Sequence, residues 1–291
     1  MALNLTSVAD VEKITEASGY VSDEQISTAI FLSLELGRPL LVEGFAGVGK
    51  TEIAKVLAKA LETELIRLQC YEGLDSASAL YEWNYAKQIL RIRMEEGGAV
   101  DPKRLETEIF TEDYLTERPL LKALRAERRP VLLIDEVDRA DEEFEAFLLE
   151  TLAESQVSIP ELGTLSAQTP PVIVLTSNRV RELSEALRRR CLYLWIDYPS
   201  KEKELAIIKQ HFPQIDEQLG KQITAFVAKL RELDLDKRPG VAETLDWAEA
   251  LVALHIDFVG ADTVRQTISC LAKTRRDTKQ ILPELGALLG E

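Results

Sequence analysis

Three stretches of the chain are apolar at every position, and each ends abruptly in polar residues. Leu40-Leu41-Val42 follows Pro39 and stops at Glu43-Gly44. Val131-Leu132-Leu133-Ile134 follows Pro130 and stops at Asp135-Glu136. Val172-Ile173-Val174-Leu175 follows Pro170-Pro171 and stops at Thr176-Ser177-Asn178. Short unbroken apolar runs predict strands buried on both faces, the signature of a parallel sheet covered by helices. Leu65–Gln69 and Leu192–Ile196 add two strands. Helical spacing fills the intervals. Ile53, Val56, Leu57, Ala60 and Leu61 share a face after the first strand. Leu120, Leu121 and Leu124 do so within 118–126, and Phe144, Phe147, Leu148, Thr151 and Leu152 within 141–154. Upstream, the pattern predicts helices over 11–17 and 22–36. The second turns Ile26, Ala29, Ile30 and Leu34 to one side, and Ser22-Asp23-Glu24-Gln25 has capping-box character at its start. Alternation of this kind predicts an α/β fold: a five-stranded parallel sheet with helices on both faces.

Two segments break that rhythm. Tyr81, Trp83 and Tyr85 alternate, as do Leu90, Ile92 and Met94, before Gly97-Gly98. Period-2 spacing there predicts a short hairpin or an irregular loop with exposed aromatics. Val157–Ser166 reads as a hairpin around Gly163. Beyond Tyr198-Pro199 no strand is visible. Helical segments are expected over 202–212, 217–233, 241–258 and 262–282, the second carrying Leu219, Ile223, Phe226, Val227 and Leu230 at helical spacing. The expected domains are an α/β domain over 1–198 and an all-helical domain over 199–291.

The first strand leads into Gly44-Phe45-Ala46-Gly47-Val48-Gly49-Lys50-Thr51, which fits G-x-x-x-x-G-K-[ST] between a strand and a helix. The glycines let successive N–H groups of Gly44, Ala46, Gly47, Val48 and Gly49 surround one anion, and the helix beginning at Lys50, Thr51 and Glu52 adds its dipole. Lys50 would reach the β- and γ-phosphates, and the Thr51 hydroxyl would ligate Mg²⁺. Asp135 and Glu136 end a second strand, where open α/β sheets bind ligands. Asp135 would hold the Mg²⁺ shell and Glu136 would orient the attacking water. Asn178, ending a third strand, either hydrogen-bonds the γ-phosphate or that water, or closes an Asx turn. Arg188-Arg189-Arg190 precede the last strand. Either they cap a helix end, or they act as an arginine finger on a neighbouring subunit's nucleotide.

Charge and cysteines narrow the classes. The 35 basic and 50 acidic residues leave a net charge of −15, which argues against a general nucleic-acid backbone binder. Cys70, Cys191 and Cys270 are far apart and form no C-x-x-C, so reduced thiols in the cytoplasm are expected; His211 and His255 give no zinc spacing. No apolar run approaches a membrane span, and the first ten residues lack a signal-peptide pattern.

Together the phosphate loop, the acid pair, the strand-end asparagine, the arginines and the helical C-terminal part resemble an AAA+ ATPase. In detail they resemble the MoxR branch in its CoxD-like subgroup. The segments that carry this are Arg38–Gly44, Asp135-Glu136-Val137-Asp138-Arg139-Ala140, Thr176–Arg179 and Glu185–Pro199. The resemblance implies ATP and Mg²⁺ as cofactors and a ring, commonly a hexamer, with active sites between subunits. It also implies an insert near the second helix where Tyr81, Trp83 and Tyr85 fall. Expected partners are a von Willebrand factor A domain protein and a client enzyme complex, in this subgroup one of the molybdenum-containing carbon monoxide dehydrogenase type. Arg190 matches the family's finger position best, with Arg189 the close alternative. The family's sensor-2 arginine normally lies in the third lid helix. Here Arg238 precedes that helix, a departure from the pattern.

The leading expectation is an ATP-hydrolysing, ring-forming remodelling chaperone. A GTP-dependent restriction-type ring motor shares the Ala186-Leu187-Arg188-Arg189-Arg190 pattern, but no guanine-reading motif is visible. A nucleotide-gated scaffold without useful turnover is the third reading, and Glu136 and Asn178 argue against it.

Overall fold

The computed structural model describes residues 5–95, 102–159 and 163–290. The chain runs α1 (Val8–Ala17), α2 (Glu24–Leu36), β1 (Leu40–Gly44), α3 (Lys50–Ala60), β2 (Leu65–Gln69), α4 (Ser76–Leu80), β3 (Tyr81–Trp83), α5 (Tyr85–Glu95), α6 (Pro102–Ile109), β4 (Leu115–Glu117), α7 (Pro119–Arg125), β5 (Val131–Asp135), α8 (Glu142–Glu154), β6 (Gln156–Ile159), β7 (Gly163–Ser166), β8 (Val172–Ser177), α9 (Glu185–Arg190) and β9 (Leu192–Ile196). Helices α10 (Lys201–His211), α11 (Glu217–Glu232), α12 (Val241–Ala253), α13 (Ala261–Leu271), α14 (Arg275–Ile281) and α15 (Leu285–Leu289) complete it.

Five strands form a parallel sheet in the order β2-β5-β8-β1-β9. Strands β1, β5 and β8 are buried at every position, as unbroken apolar runs dictate. At the sheet edge β2 instead alternates: Ile66 and Leu68 are buried while Arg67 and Gln69 are exposed. By contacts the chain divides into two compact units. One comprises Met1–Ile14, Glu24–Glu43 and Ala54–Leu194; the other comprises Thr15–Asp23, Gly44–Ile53 and Trp195–Glu291. The first unit's core joins Leu41, Ile66, Leu132, Ile134 and Leu175 of the sheet to Leu121, Phe144 and Leu148 of its helices. At the start of α8, Asp141 accepts a hydrogen bond from Phe144 N at 2.8 Å, a cap worth about 1 kcal/mol.

The second unit is built on Trp247, which is fully buried, packs on Phe226 at 5.3 Å between ring centroids and donates to Thr267 Oγ1 at 2.7 Å. Glu204 and Arg231 form a buried bidentate pair (Nη1–Oε2 2.9 Å, Nη2–Oε1 2.6 Å). The Thr244 hydroxyl also donates to Glu204 Oε1 at 2.7 Å, and Arg231 Nε donates to Pro239 O at 2.8 Å.

Three elements differ from the sequence pattern. Tyr81–Trp83 is a strand, but it pairs with Leu115–Glu117, and a helix follows at once. Asn84 Oδ1 accepts Lys87 N at 3.0 Å, capping α5 and converting the apparent alternation of Leu90, Ile92 and Met94 into helix. Trp83 is buried against Phe110 while Tyr85 is exposed; Gly97-Gly98 lie outside the described residues. The hairpin is β6–β7, antiparallel from Gln156↔Ser166 to Ile159↔Gly163. Helix α12 stops at Ala253 because His255 turns left-handed (φ 54°) and Ile256 N bonds back to Leu251 O. The single helix expected over 262–282 is two, since Thr274 caps a new start by accepting Asp277 N.

Candidate functional site

The phosphate loop follows β1 and runs into α3, and Lys50 opens the helix. Gly47 sits at φ 75°, the left-handed region that side chains resist. Lys50 is buried and curls onto its own loop, donating to Gly44 O at 2.9 Å and Phe45 O at 2.6 Å. The loop packs on the start of α12: Ala242 N donates to Gly47 O at 3.1 Å, and a Cβ added at Gly240 would lie 2.7 Å from Ala46 O. A side chain at 240 would therefore push the loop away. Phe45 stacks on Tyr198 (4.7 Å, 7° between planes), and the Arg231 guanidinium lies over the Tyr198 ring, 4.7 Å from its centroid. Arg238 is exposed, two residues before the Gly240 cap of α12.

The acids end β5. Asp135 is 3% exposed. Its Oδ1 accepts from the Thr176 hydroxyl at 2.5 Å and its Oδ2 from Arg67 Nη2 at 2.5 Å. Thr176 Oγ1 also accepts Glu136 N at 2.9 Å, so one hydroxyl of β8 fixes both acids. Glu136 is left-handed (φ 55°, ψ 49°), which sends its side chain out of the strand path. Its Oε1 accepts from Asn178 Nδ2 at 3.0 Å; its Oε2 accepts from Gln69 Nε2 at 3.1 Å and pairs with Arg139 Nε at 2.8 Å. The Asn178 amide thus meets Glu136 directly. Asp138 is also buried and accepts Asn178 N and Val180 N. Hydrogen bonds to a charged acceptor contribute roughly 1.5–3 kcal/mol each, enough to offset about 1–2 kcal/mol for the left-handed Arg179 between them (φ 59°). Burial, then Asp135, Asp138 and Glu136, push the Cys70 thiol up to about 12, so it stays neutral beside the acids. A buried carboxylate and hydroxyl groups are hard oxygen donors of the kind Mg²⁺ takes.

The three arginines of α9 have different surroundings. Arg188 Nη2 turns to buried Glu43 (3.3 Å to Oε1), which also accepts from the Tyr193 hydroxyl at 3.1 Å. Arg189 and Arg190 are exposed; Arg189 pairs with Glu185 and Arg190 Nη1 reaches Ala186 O at 3.4 Å. Arg38 caps the helix from outside, donating to Arg189 O at 2.8 Å and to Arg190 O at 3.4 Å. Sequence reading passed over Arg67, Asp138, Arg139, Glu43 and Arg38. The alternation of Arg67 and Gln69 with Ile66 and Leu68 was the available signal for the first, and a third acid three residues past Asp135 for the second.

The family described as AAA domain (dynein-related subfamily) matches residues 39–191, from the strand before the phosphate loop to the end of α9. The chain belongs to this family. It is accordingly an ATPase, with ATP and Mg²⁺ as cofactors. Among its relatives is the gas vesicle ATPase GvpN of Haloferax mediterranei, 25% identical over 263 residues, 86% of this chain and 74% of that protein. An uncharacterized protein of Staphylococcus haemolyticus is 25% identical over 239 residues, 80% of this chain and 82% of its own. Among solved structures, the Thermotoga maritima RuvB Holliday junction branch migration motor has the same fold (TM-score 0.51, 18% identity, covering 96% of this chain and 81% of that one). Among the described residues of this AAA chain, no helix is long and apolar enough to cross a membrane.

Proposed function

We propose that this ATPase forms a ring, commonly a hexamer, and works in the cytoplasm as a MoxR-type chaperone of the CoxD-like subgroup. It remodels or matures a partner enzyme complex, of the molybdenum-containing carbon monoxide dehydrogenase type, together with a von Willebrand factor A domain protein. The family membership and the similarity to a gas vesicle ATPase support the hydrolytic part. The motif segments at 135–140, 176–179 and 185–199 support the narrower placement. Residues 1–198 form the nucleotide-binding domain and 199–291 the lid.

The observation that carries hydrolysis, rather than passive nucleotide gating, is the 3.0 Å hydrogen bond from Asn178 Nδ2 to Glu136 Oε1. A carboxylate held by a neutral amide gains a fixed direction, as a water-orienting base requires. Glu136 orients the water whose oxygen attacks the γ-phosphorus, and the bond to the β–γ bridging oxygen breaks. Gly44, Ala46, Gly47, Val48 and Gly49 offer amides to the phosphates, Glu52 completes the first turn of α3, and Lys50 holds the β- and γ-phosphates. Thr51 and Asp135 would hold Mg²⁺, which would neutralise charge on the phosphate oxygens. Arg190, or Arg189 beside it, serves a neighbouring subunit's nucleotide, and Arg238 reaches the γ-phosphate.

The division of labour is testable. Lys50→Ala should abolish nucleotide binding, whereas Glu136→Gln should bind ATP, sediment as a ring with it and fail to turn over. Wild-type hydrolysis by Glu136→Gln would remove Glu136 from the chemistry, and a Glu136→Gln protein that stays monomeric with ATP at high concentration would count against the ring.

A further inference from the structure

Residues 178–180 wrap a buried carboxylate. Asn178 N and Val180 N both donate to Asp138 Oδ2, at 3.2 and 2.7 Å. Arg179 between them is left-handed, at φ 59°. Amides that converge across a left-handed residue form a concavity for an anion, and here the chain fills it with its own side chain. Asp138 is 1% exposed, and its other oxygen, Oδ1, is buried without a hydrogen-bond partner. The carboxylate is therefore committed to these two amides. The segment is pinned again downstream, where Arg181 Nε donates to Ala140 O at 2.8 Å and Ser184 N to Glu145 Oε2 at 2.9 Å. Between these anchors Asp138 holds the amides of Asn178 and Val180, while Arg179 N donates to Ser177 Oγ at 3.1 Å. A left-handed arginine has no intrinsic preference for that conformation. Without the anion, residues 178–180 would relax, and the Asn178 side chain would rotate with its backbone.

We propose that Asp138 is a positioning residue for ATP hydrolysis: by filling the amide nest of residues 178–180, it holds the Asn178 side chain on Glu136. The segment Asp135–Asp138 thus delivers three acids with three tasks, and Asp138 performs its own without touching nucleotide. This inference rests on the assignment of Glu136 and Asn178 above. A solely structural Asp138 would affect the melting temperature and leave the turnover of folded protein unchanged, so the two roles are separable.

The experiment compares Asp138→Ala, Asp138→Asn, Asn178→Ala and the Asp138→Ala/Asn178→Ala double variant in the full chain. It measures turnover, ATP affinity and amide hydrogen exchange over residues 177–184. Asp138→Ala should lose about tenfold or more in kcat, as a displaced catalytic group does, with ATP affinity within about twofold and with faster exchange at 178 and 180. The double variant should be no slower than the slower single one, because both remove one interaction. Asp138→Asn keeps the shape and an accepting oxygen, and should restore most of the rate. Should Asp138→Ala not fold, Val180→Pro deletes one donor at an exposed position and disfavours a left-handed Arg179; it should show the same kcat loss at unchanged affinity. An impaired Asn178→Ala beside an unimpaired Asp138→Ala or Val180→Pro refutes the nest's role alone. So do losses that multiply in the double variant, or exchange at 178 and 180 that does not change. Wild-type turnover in Asn178→Ala refutes the underlying assignment instead.

Discussion

Arg231→Met should destabilise the helical unit by about 3–5 kcal/mol, the cost of leaving one member of a buried ion pair alone. The structure supports a value in that range. Glu204 is fully buried and the Arg231 side chain only 8% exposed, so solvent can replace neither partner. Both guanidinium–carboxylate contacts are short, and Nε also satisfies Pro239 O. After the substitution Glu204 keeps the Thr244 hydroxyl, and Pro239 O loses its donor. Urea unfolding followed by tryptophan fluorescence would report it, since Trp247 lies in the core of this unit. With a slope of about 1–3 kcal/mol per molar urea, the midpoint should fall by about 1–5 M. Glu204→Leu combined with Arg231→Met removes both charges and should recover most of the loss. A midpoint shift below about 0.5 M for Arg231→Met, or a double variant weaker than the single one, would show that the pair does not hold this unit together.

Two further outcomes are expected. Arg190→Ala should lower turnover by on the order of 10³-fold with little change in melting temperature, and mixing it with Lys50→Ala subunits should restore activity. No gain in rings that still assemble would make α9's arginines structural, since helix-end capping predicts only about 0.3–1 kcal/mol of stability. Arg67→Gln should reduce by about two- to fivefold the Mg²⁺ concentration needed for half-maximal binding of a fluorescent nucleotide, because the half-exposed guanidinium occupies an Asp135 oxygen that the cation would use. An unchanged Mg²⁺ requirement would show that Arg67 does not compete.

Those features written in local periodicity were legible in the sequence. Strands β1, β5 and β8 are buried at every position behind unbroken apolar runs, and the parallel sheet follows from them because only a strand covered on both faces tolerates such a run. The phosphate loop and the acid pair were legible for the same reason, each being a contiguous motif at the end of a strand. Periodicity failed where a single side chain redirected the chain. Asn84 starts a helix inside an alternating aromatic segment, and Thr274 divides a continuous helical pattern. Both are side-chain caps, and a cap competes with the pattern around it through one hydrogen bond that spacing does not reveal.

Long-range polar partners were the least legible, and the arginine triplet shows why. In sequence Arg188, Arg189 and Arg190 are equivalent cations before a strand. In the structure Glu43, 145 positions earlier, pairs with Arg188, and Arg38, about 150 positions earlier, closes the carbonyls at the end of the helix. Neither partner belongs to the triplet's local pattern, yet together they give the three arginines different surroundings. A cation that must meet a phosphate across a subunit boundary needs a backbone that does not yield, because small misplacements cost large factors in rate. Buried Glu43 and the Arg38 cap hold this helix end from within one subunit; the Arg188 side chain that meets Glu43 is 40% exposed, against 76% for Arg189. The same logic holds at Asp138, where an acid inside a motif acts on backbone forty residues away.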